Sequence, residues 1–315
     1  LKAILAIDPR SAEGHLLLGI AYRMQGSPEM LGEAKAELVQ ALAIDPQFAP
    51  ARYYLAQLYL ELGRPTGARE QMETALTQHP GNPQFLALLG EAERQLGKPD
   101  RALALNREAL KSDESFAQAR YYVALALNDL KRRREAIAEL ERVVSGKPDV
   151  VEPYLGLGTA YLDAGRVEPA LSVLMQATTI DPARPDVRLQ LARAYRLRKN
   201  FVKAEEQLVL AKPAGVSTQA SLSSQQVEAD FDIERGHLDL ARGRLDGAVE
   251  AFRRVLDMDP NHGPTSRDLA QVYLLQGRFK EASEYAARAD QLGFPLPDDK
   301  RRLLQQKQRK EPTRR

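Results

Sequence analysis

The feature that most constrains the fold of this sequence is a repeat with a period of about 34 residues. The interval from Pro46 to Pro80 recurs unchanged from Pro148 to Pro182, and the gap between Pro80 and Pro148 is twice that interval. Because the residue before a proline avoids helical geometry, these prolines mark the ends of helices. A period of this length predicts a stack of small supersecondary units, each covered by its neighbours.

Apolar residues keep phase with the prolines. A large apolar residue stands nine places after the proline of a repeat, and a small residue stands ten places after it. An alanine recurs later in each repeat. The small residue lets two helices approach closely, and the large residues fill the gap between them. The pattern therefore predicts packed helix pairs. The large–small pairs are Leu18-Gly19, Leu55-Ala56, Leu89-Gly90, Leu157-Gly158, Leu191-Ala192 and Leu269-Ala270.

This order of residue types resembles the tetratricopeptide repeat, a helix–turn–helix unit of the same period, and the resemblance covers most of the chain. It implies an all-α fold, a right-handed superhelical solenoid of antiparallel helix pairs, with about eight repeats and a terminal capping helix. The repeats are expected to begin near residues 12, 49, 83, 117, 151, 185, 229 and 263.

The same phase divides the chain into segments. Residues 1–11 are expected to end a truncated preceding repeat, so that a longer protein would precede Leu1. Residues 12–218 would form repeats one to six and residues 229–296 repeats seven and eight. Residues 212–228 are predicted to be a loop insertion that bulges from the stack, because Ser, Gly, Ala and Thr dominate its first part. Residues 297–315 would form a basic capping helix, with Leu303 and Leu304 packed on the last repeat, and a tail.

The charge of the chain is concentrated at its C-terminal end. The net charge is +2, and residues 298–315 contain 8 Lys or Arg against 3 acids. The remaining body therefore carries 37 basic and 40 acidic residues, a net charge of −3. Nucleic acid is not expected as a partner of the body, and membrane contact is expected only through the basic tail. No apolar run could span a membrane, so a soluble protein of the cytoplasm or the periplasm is expected.

No motif indicates catalysis. His15, His79, His237 and His262 lie far apart, and the chain contains no cysteine. Gly156-Leu157-Gly158 is only a fragment of a dinucleotide-binding pattern and belongs to the helix-packing pair. No phosphate-binding loop or nucleophile elbow occurs. We therefore expect neither an enzyme nor a metal or cofactor site.

The resemblance implies that the first helices of successive repeats line a concave groove that binds a protein or an extended peptide. Tyr53 and Tyr121 recur in the echoed segments 51–56 and 119–124, and tyrosine is enriched at binding hot spots. The alternative is that these rings only pack against neighbouring helices. The predicted groove residues are Leu16, Ile20, Arg23, Tyr53, Gln57, Glu61, Glu91, Arg94, Tyr121, Asn128, Asp129, Thr159, Arg193 and Arg196.

The function expected from these features is that of a non-enzymatic interaction scaffold. In bacteria such arrays serve envelope, secretion or polysaccharide-export assemblies, which the style of the repeats favours. Two alternatives stay open. The chain could be a regulatory or substrate-selecting arm of a larger enzyme whose catalytic domain lies N-terminal to it. It could also be a self-association module that forms a homo-oligomer.

Overall fold

The computed structural model describes residues 8–212 and 222–310. Seventeen α-helices and no strand occur in these residues, which confirms the predicted all-α repeat fold. The contacts between helices divide the chain into two compact units, Leu1–Asp149 (unit 1) and Val150–Arg315 (unit 2). The expected end of a preceding repeat before residue 8, and the tail after residue 310, lie outside the described residues.

Unit 1 contains four helix pairs. Each first helix packs against its own second helix, and the first helices of neighbouring pairs within the unit are in contact. The pairs are α1 (Ala12–Gln25) with α2 (Pro28–Ile44), α3 (Ala49–Glu61) with α4 (Pro65–Gln78), α5 (Pro83–Gln95) with α6 (Pro99–Ser112), and α7 (Ala117–Asp129) with α8 (Arg133–Ser145).

Unit 2 also contains four pairs, followed by a single helix. The pairs are α9 (Glu152–Asp163) with α10 (Val167–Ile180), α11 (Pro185–Leu197) with α12 (Phe201–Ala211), α13 (Leu222–Ala241) with α14 (Leu245–Met258), and α15 (Gly263–Leu275) with α16 (Phe279–Gln291). The last helix is α17 (Asp298–Lys310).

The close approach of the helices in a pair depends on the small residue that the sequence places in the first helix. A Cβ atom added at Gly158 would lie 2.5 Å from Leu174 Cγ, and one added at Gly236 would lie 2.5 Å from the ring of Phe252. Leu174 and Phe252 are both fully buried. The large side chain of the second helix therefore occupies the space that a side chain on the first helix would need.

The turn inside each pair requires a left-handed residue, and glycine is the residue that adopts this conformation without strain. Gly63 and Gly165 have φ angles of 65° and 74°. Two of these turns contain lysine instead. Lys131 has a φ of 62° and Lys199 a φ of 60°.

The predicted insertion at 212–228 differs from the structure in its second half. Residues 222–228 are helical, because α13 begins at Leu222 and not near residue 229. Residues 213–221 of the predicted loop lie outside the described residues. Gly236 nevertheless keeps the position of the small packing residue, so the repeat retains its register and its first helix is extended at the N-terminal end.

Helix α17 covers the last repeat of unit 2, as a capping helix should. Leu304 is buried in a cluster that also contains Leu296, Leu269 and Tyr273. Leu303 is 43% exposed, so only one of the two leucines that were expected to pack on the last repeat does so.

We predict that Gly236→Leu lowers the free energy of unfolding by about 1–3 kcal/mol or more, because the new side chain competes with Phe252 for one space. Gly32→Leu is the matched control, since no atom lies within 4 Å of a Cβ added there. That substitution should be neutral or stabilise by up to about 1 kcal/mol through helix propensity. Urea denaturation followed by circular dichroism measures both. Equal effects of the two substitutions would contradict the packing described here.

Candidate functional site

The first helices of unit 1 carry an aromatic cleft of about 710 Å³. Most of its polar and aromatic side chains come from α1, α3 and α5, and His79 and Asn82 come from the connection before α5. The cleft is lined by Arg23, Ala49, Pro50, Tyr53, Tyr54, Gln57, His79, Asn82, Gln84 and Phe85.

Three rings in contact form the wall of the aromatic cleft. The ring of Tyr53 lies 5.6 Å from that of Tyr54 and 6.0 Å from that of Phe85. Phe85 is buried, and the N-terminal cap of its helix holds it in place, since Asn82 Oδ1 accepts hydrogen bonds from the amides of Gln84 and Phe85. Burial raises the pKa of Tyr53, partly offset by a hydrogen bond with Gln57. The hydroxyl therefore stays neutral and can both donate and accept.

A second cleft of about 320 Å³, the polar cleft, continues from the first. Arg23 and Gln57 line both clefts, so the two form one continuous site on unit 1. The lining residues are Arg23, Gln57, Leu60, Glu61, Leu88, Glu91, Gln95, Gln118 and Tyr122.

Arg23, which lines both clefts, and Arg94, which lies next to them on α5, are already bound by neighbouring side chains. Arg94 donates two hydrogen bonds of 2.8 Å to Glu91 and one of 3.0 Å to Asp129. The bond to Glu91 contributes most to raising the pKa of Arg94 above its usual value. Arg23 donates to Gln57 Oε1 at 2.5 Å and lies 3.7 Å from Glu61. These arginines are therefore paired within the protein and do not form a clamp for a carboxylate.

Tyr122, and not Tyr121, lines the polar cleft. Gln118 Nε2 donates a 2.9 Å hydrogen bond to the Tyr122 hydroxyl, and burial raises the pKa of this tyrosine well above its usual value. The ring of Tyr121 lies 6.0 Å from that of Tyr122. The repeated Tyr-Tyr dipeptide thus contributes Tyr54 and Tyr122 to the two clefts, and neither of them was among the predicted residues.

Three other predicted residues of unit 1, Leu16, Ile20 and Asn128, line neither cleft. Leu16 is 8% exposed and belongs to the core cluster with Leu38 and Leu55, and Ile20 packs against the same cluster. The structure therefore gives Leu16 a packing role. Asn128 is exposed on α7.

Two predicted residues of unit 2, Arg193 and Arg196, form ion pairs along its first helices. Arg193 donates to Asp163 at 2.7 Å, and Arg196 contacts Glu234 at 3.2 Å. His237 follows, with its Nε2 atom 2.9 Å from Asp268. Thr159 is half-buried on α9. Glu234, His237 and Asp268 were not predicted, because their pairing depends on contacts between repeats.

The environment of His237 favours the charged imidazolium. Burial alone would lower the pKa of His237, but the hydrogen bond to Asp268 and the nearby carboxylate of Glu234, 3.8 Å from Nδ1, outweigh burial and raise the pKa to about 8. Burial raises the pKa of Asp268, but the hydrogen bond and the charge of His237 lower it. The net result is a pKa below the usual value. At neutral pH the pair is therefore largely ionised.

Within 8–212 and 222–310, no group of three His, Cys, Asp or Glu side chains could hold one metal ion. No helix within those ranges is long and apolar enough to cross a membrane.

Comparison with known proteins identifies the class. The family model of the tetratricopeptide repeat matches residues 29–92, 61–127, 161–221 and 239–293. The chain therefore belongs to the tetratricopeptide repeat family. Its helix pairs form a scaffold of the kind that binds other proteins.

Individual relatives are distant. The chain is 23% identical over 283 residues to mouse DnaJ homolog subfamily C member 3, a match that covers 80% of this chain and 55% of the relative. It is 27% identical over 266 residues to cellulose synthase operon protein C of Xanthomonas axonopodis pv. citri (strain 306), covering 79% of this chain and 17% of the relative. The chain thus spans about half of the mouse relative and far less of the bacterial one.

A solved structure of the APC/C Cut9–Hcn1 hetero-tetramer contains a similar chain. The TM-score is 0.74 at 16% identity, with 95% of this chain and 56% of that chain covered. This likeness shows that the two chains share a fold.

We predict that stability depends on pH through His237. Its pKa of about 8 in the folded state exceeds the ordinary value of 6.5. The imidazolium therefore stabilises the fold fully below pH 6.5, and this contribution is lost as pH rises through 8. The free energy of unfolding should fall by up to about 2 kcal/mol between about pH 6 and 9.

Urea denaturation at several pH values measures this change, and His237→Gln is the control that should remove it. The same loss of stability in the His237→Gln variant would assign the pH dependence to other groups. An NMR titration of the His237 ring gives the pKa itself.

Proposed function

We propose that the protein is a non-enzymatic scaffold that binds an extended peptide segment of a partner in the aromatic and polar clefts of unit 1. The observation that carries this proposal is the continuity of the two clefts. One offers a wall of three rings, and the other offers side-chain amides within the same surface. An apolar site with a few convergent polar groups is the usual form of a binding site.

The aromatic cleft supplies the anchor. Tyrosine and phenylalanine present a large contact area with little loss of conformational entropy, and such residues dominate binding energy when a partner side chain enters a desolvated pocket. Tyr53 also keeps a neutral hydroxyl at the edge of the cleft. We propose that an aromatic or aliphatic side chain of the partner packs against Tyr53, Tyr54 and Phe85.

The glutamine side chains of the two clefts are suited to form hydrogen bonds with the backbone of an extended peptide. A side-chain amide both donates and accepts hydrogen bonds, as does each peptide unit of an extended segment. Gln57, Gln84, Gln95 and Gln118 are distributed over the two clefts on α3, α5 and α7. Since Arg23 and Arg94 are already bound, recognition by this site should depend little on the charge of the partner.

For the cellular setting we propose a bacterial assembly for polysaccharide export, which rests on one relative. The name of the Xanthomonas relative refers to a cellulose synthase operon, which supports a role in polysaccharide export for this chain as well. Peptide binding in the clefts of unit 1 does not depend on this cellular setting.

We predict that Tyr53→Ala/Gln118→Ala weakens capture of a partner from a cell extract by about 30-fold or more, because losing an aromatic hot spot costs about 2 kcal/mol or more. The matched control is Thr77→Ala/Arg107→Ala, which changes two exposed residues on the second helices α4 and α6. Capture should also persist when the salt is raised to about 0.5 M, because the recognition groups are uncharged.

Quantitative mass spectrometry of the captured proteins measures the effect, with circular dichroism to show that all variants are folded. A partner that is retained by the Tyr53→Ala/Gln118→Ala variant and lost by the control variant would refute the assignment of the site.

A further inference from the structure

Unit 2 contains a recess of its own, beside the turn between α11 and α12. This basic cleft has a volume of about 690 Å³. Four of its seven lining residues are cationic and none is acidic. The lining residues are Arg198, Lys199, Asn200, Phe201, Val202, Lys203 and Arg242.

Lys199 occupies a turn position at which folding favours glycine. The equivalent turns of unit 2 hold glycine at this position, as at Gly165, Gly243 and Gly277, all with a φ of 74°. Lys199 adopts the same left-handed region with a φ of 60°. A side chain in this region is strained, and such strain concentrates at functional sites. The turn thus places an ammonium group at the basic cleft where glycine would have folded more easily.

Two of the four cations have no carboxylate partner in the described part of the chain. Arg198 lies 3.1 Å from Glu168, and Arg242 lies 2.6 Å from Glu205. Lys199 forms no ion pair there. Neither does Lys203, whose ammonium group lies 5.5 Å from the centre of the Tyr195 ring. The basic cleft therefore offers two ammonium groups to a ligand, with two arginines beside them.

An apolar surface adjoins these cations. Val202 lines the basic cleft and is 65% exposed, and Val209, which is 67% exposed, lies two helical turns later on the same face of α12. Phe201 is half-buried beside Val202. A ligand that fits this surface carries negative charge next to an apolar group.

We propose that the basic cleft docks an acidic segment of a protein partner. Carboxylates of the segment bind Lys199 and Lys203, and a neighbouring apolar side chain packs on Val202. Charge complementarity supports this occupant, since no acid lines the cleft, and the exposed valines favour a polypeptide over a phosphate backbone. Across the whole body, 40 acids against 37 basic residues also disfavour a nucleic acid. This proposal is independent of the clefts of unit 1.

The test is selection of random dodecapeptides displayed on phage against the intact protein, followed by sequencing of the recovered pool. The same selection on Lys199→Glu/Lys203→Glu removes the ligands of the basic cleft. The matched control is Lys131→Glu/Arg133→Glu, which reverses two charges at the other turn with a left-handed lysine. Circular dichroism shows that both variants are folded.

We expect peptides that are retained by the parent and by the Lys131→Glu/Arg133→Glu control, and lost by Lys199→Glu/Lys203→Glu. These peptides should be enriched in Asp or Glu next to Leu, Ile or Phe. Fluorescence anisotropy with one such peptide should show binding at least about tenfold weaker for Lys199→Glu/Lys203→Glu, and strong weakening by salt. Tyr53→Ala/Gln118→Ala should bind it like the parent, which separates this site from the clefts of unit 1.

Three results would overturn the proposal. The first is a recovered pool without acidic enrichment, or with the same peptides on Lys199→Glu/Lys203→Glu. The second is an equal loss of binding in both charge-reversal variants. That result would mean that the positive charge of the surface attracts the peptides without a specific site. The third is a labelled oligouridine RNA that binds more tightly than the best peptide and is released by Lys199→Glu/Lys203→Glu, which would make the cleft a nucleic-acid site.

Discussion

The close approach of two helices within each pair is the contact on which the rest of the structure depends. It requires a residue without a large side chain in the first helix and a large side chain opposite it in the second, as at Gly158 with Leu174 and Gly236 with Phe252. A pair that is packed this way still has an apolar face, which the next pair covers. Because each first helix of unit 1 contacts the next one, side chains at corresponding positions come together. The clefts of unit 1 are a consequence of this stacking.

The sequence predicted the fold well because the packing rule acts at every repeat. The in-phase glycines, alanines and prolines report a local steric requirement that a single sequence displays many times. The start of α13 was not predictable in the same way. Residues 222–228 extend that helix beyond the repeating unit, and neither a small packing residue nor a proline marks where it begins. The serine- and alanine-rich composition before it favoured a loop.

The sequence indicated which positions of the helices lie near the candidate site, but not which side chains point into it. The repeat phase indicated Tyr53 and Gln57, and both line the aromatic cleft. It could not separate Tyr121 from Tyr122, since neighbouring residues on a helix point about 100° apart and a small rotation of the helix decides which one lines a cleft. It also could not show that Glu91 and Asp129 already bind Arg94. The basic cleft is lined by Lys199 and by Arg242, which is distant in sequence, and no local pattern displays that they line the same cleft.

The central claim is that a partner peptide lies in the aromatic and polar clefts of unit 1, and photo-crosslinking tests it most directly. A photoreactive phenylalanine analogue would replace Gln84 or Gln95, which line these clefts, and Thr77 or Arg107, which lie on the second helices. The partner recovered by affinity capture should crosslink from positions 84 and 95 and not from 77 or 107. Crosslinks from 77 or 107 alone would contradict the account.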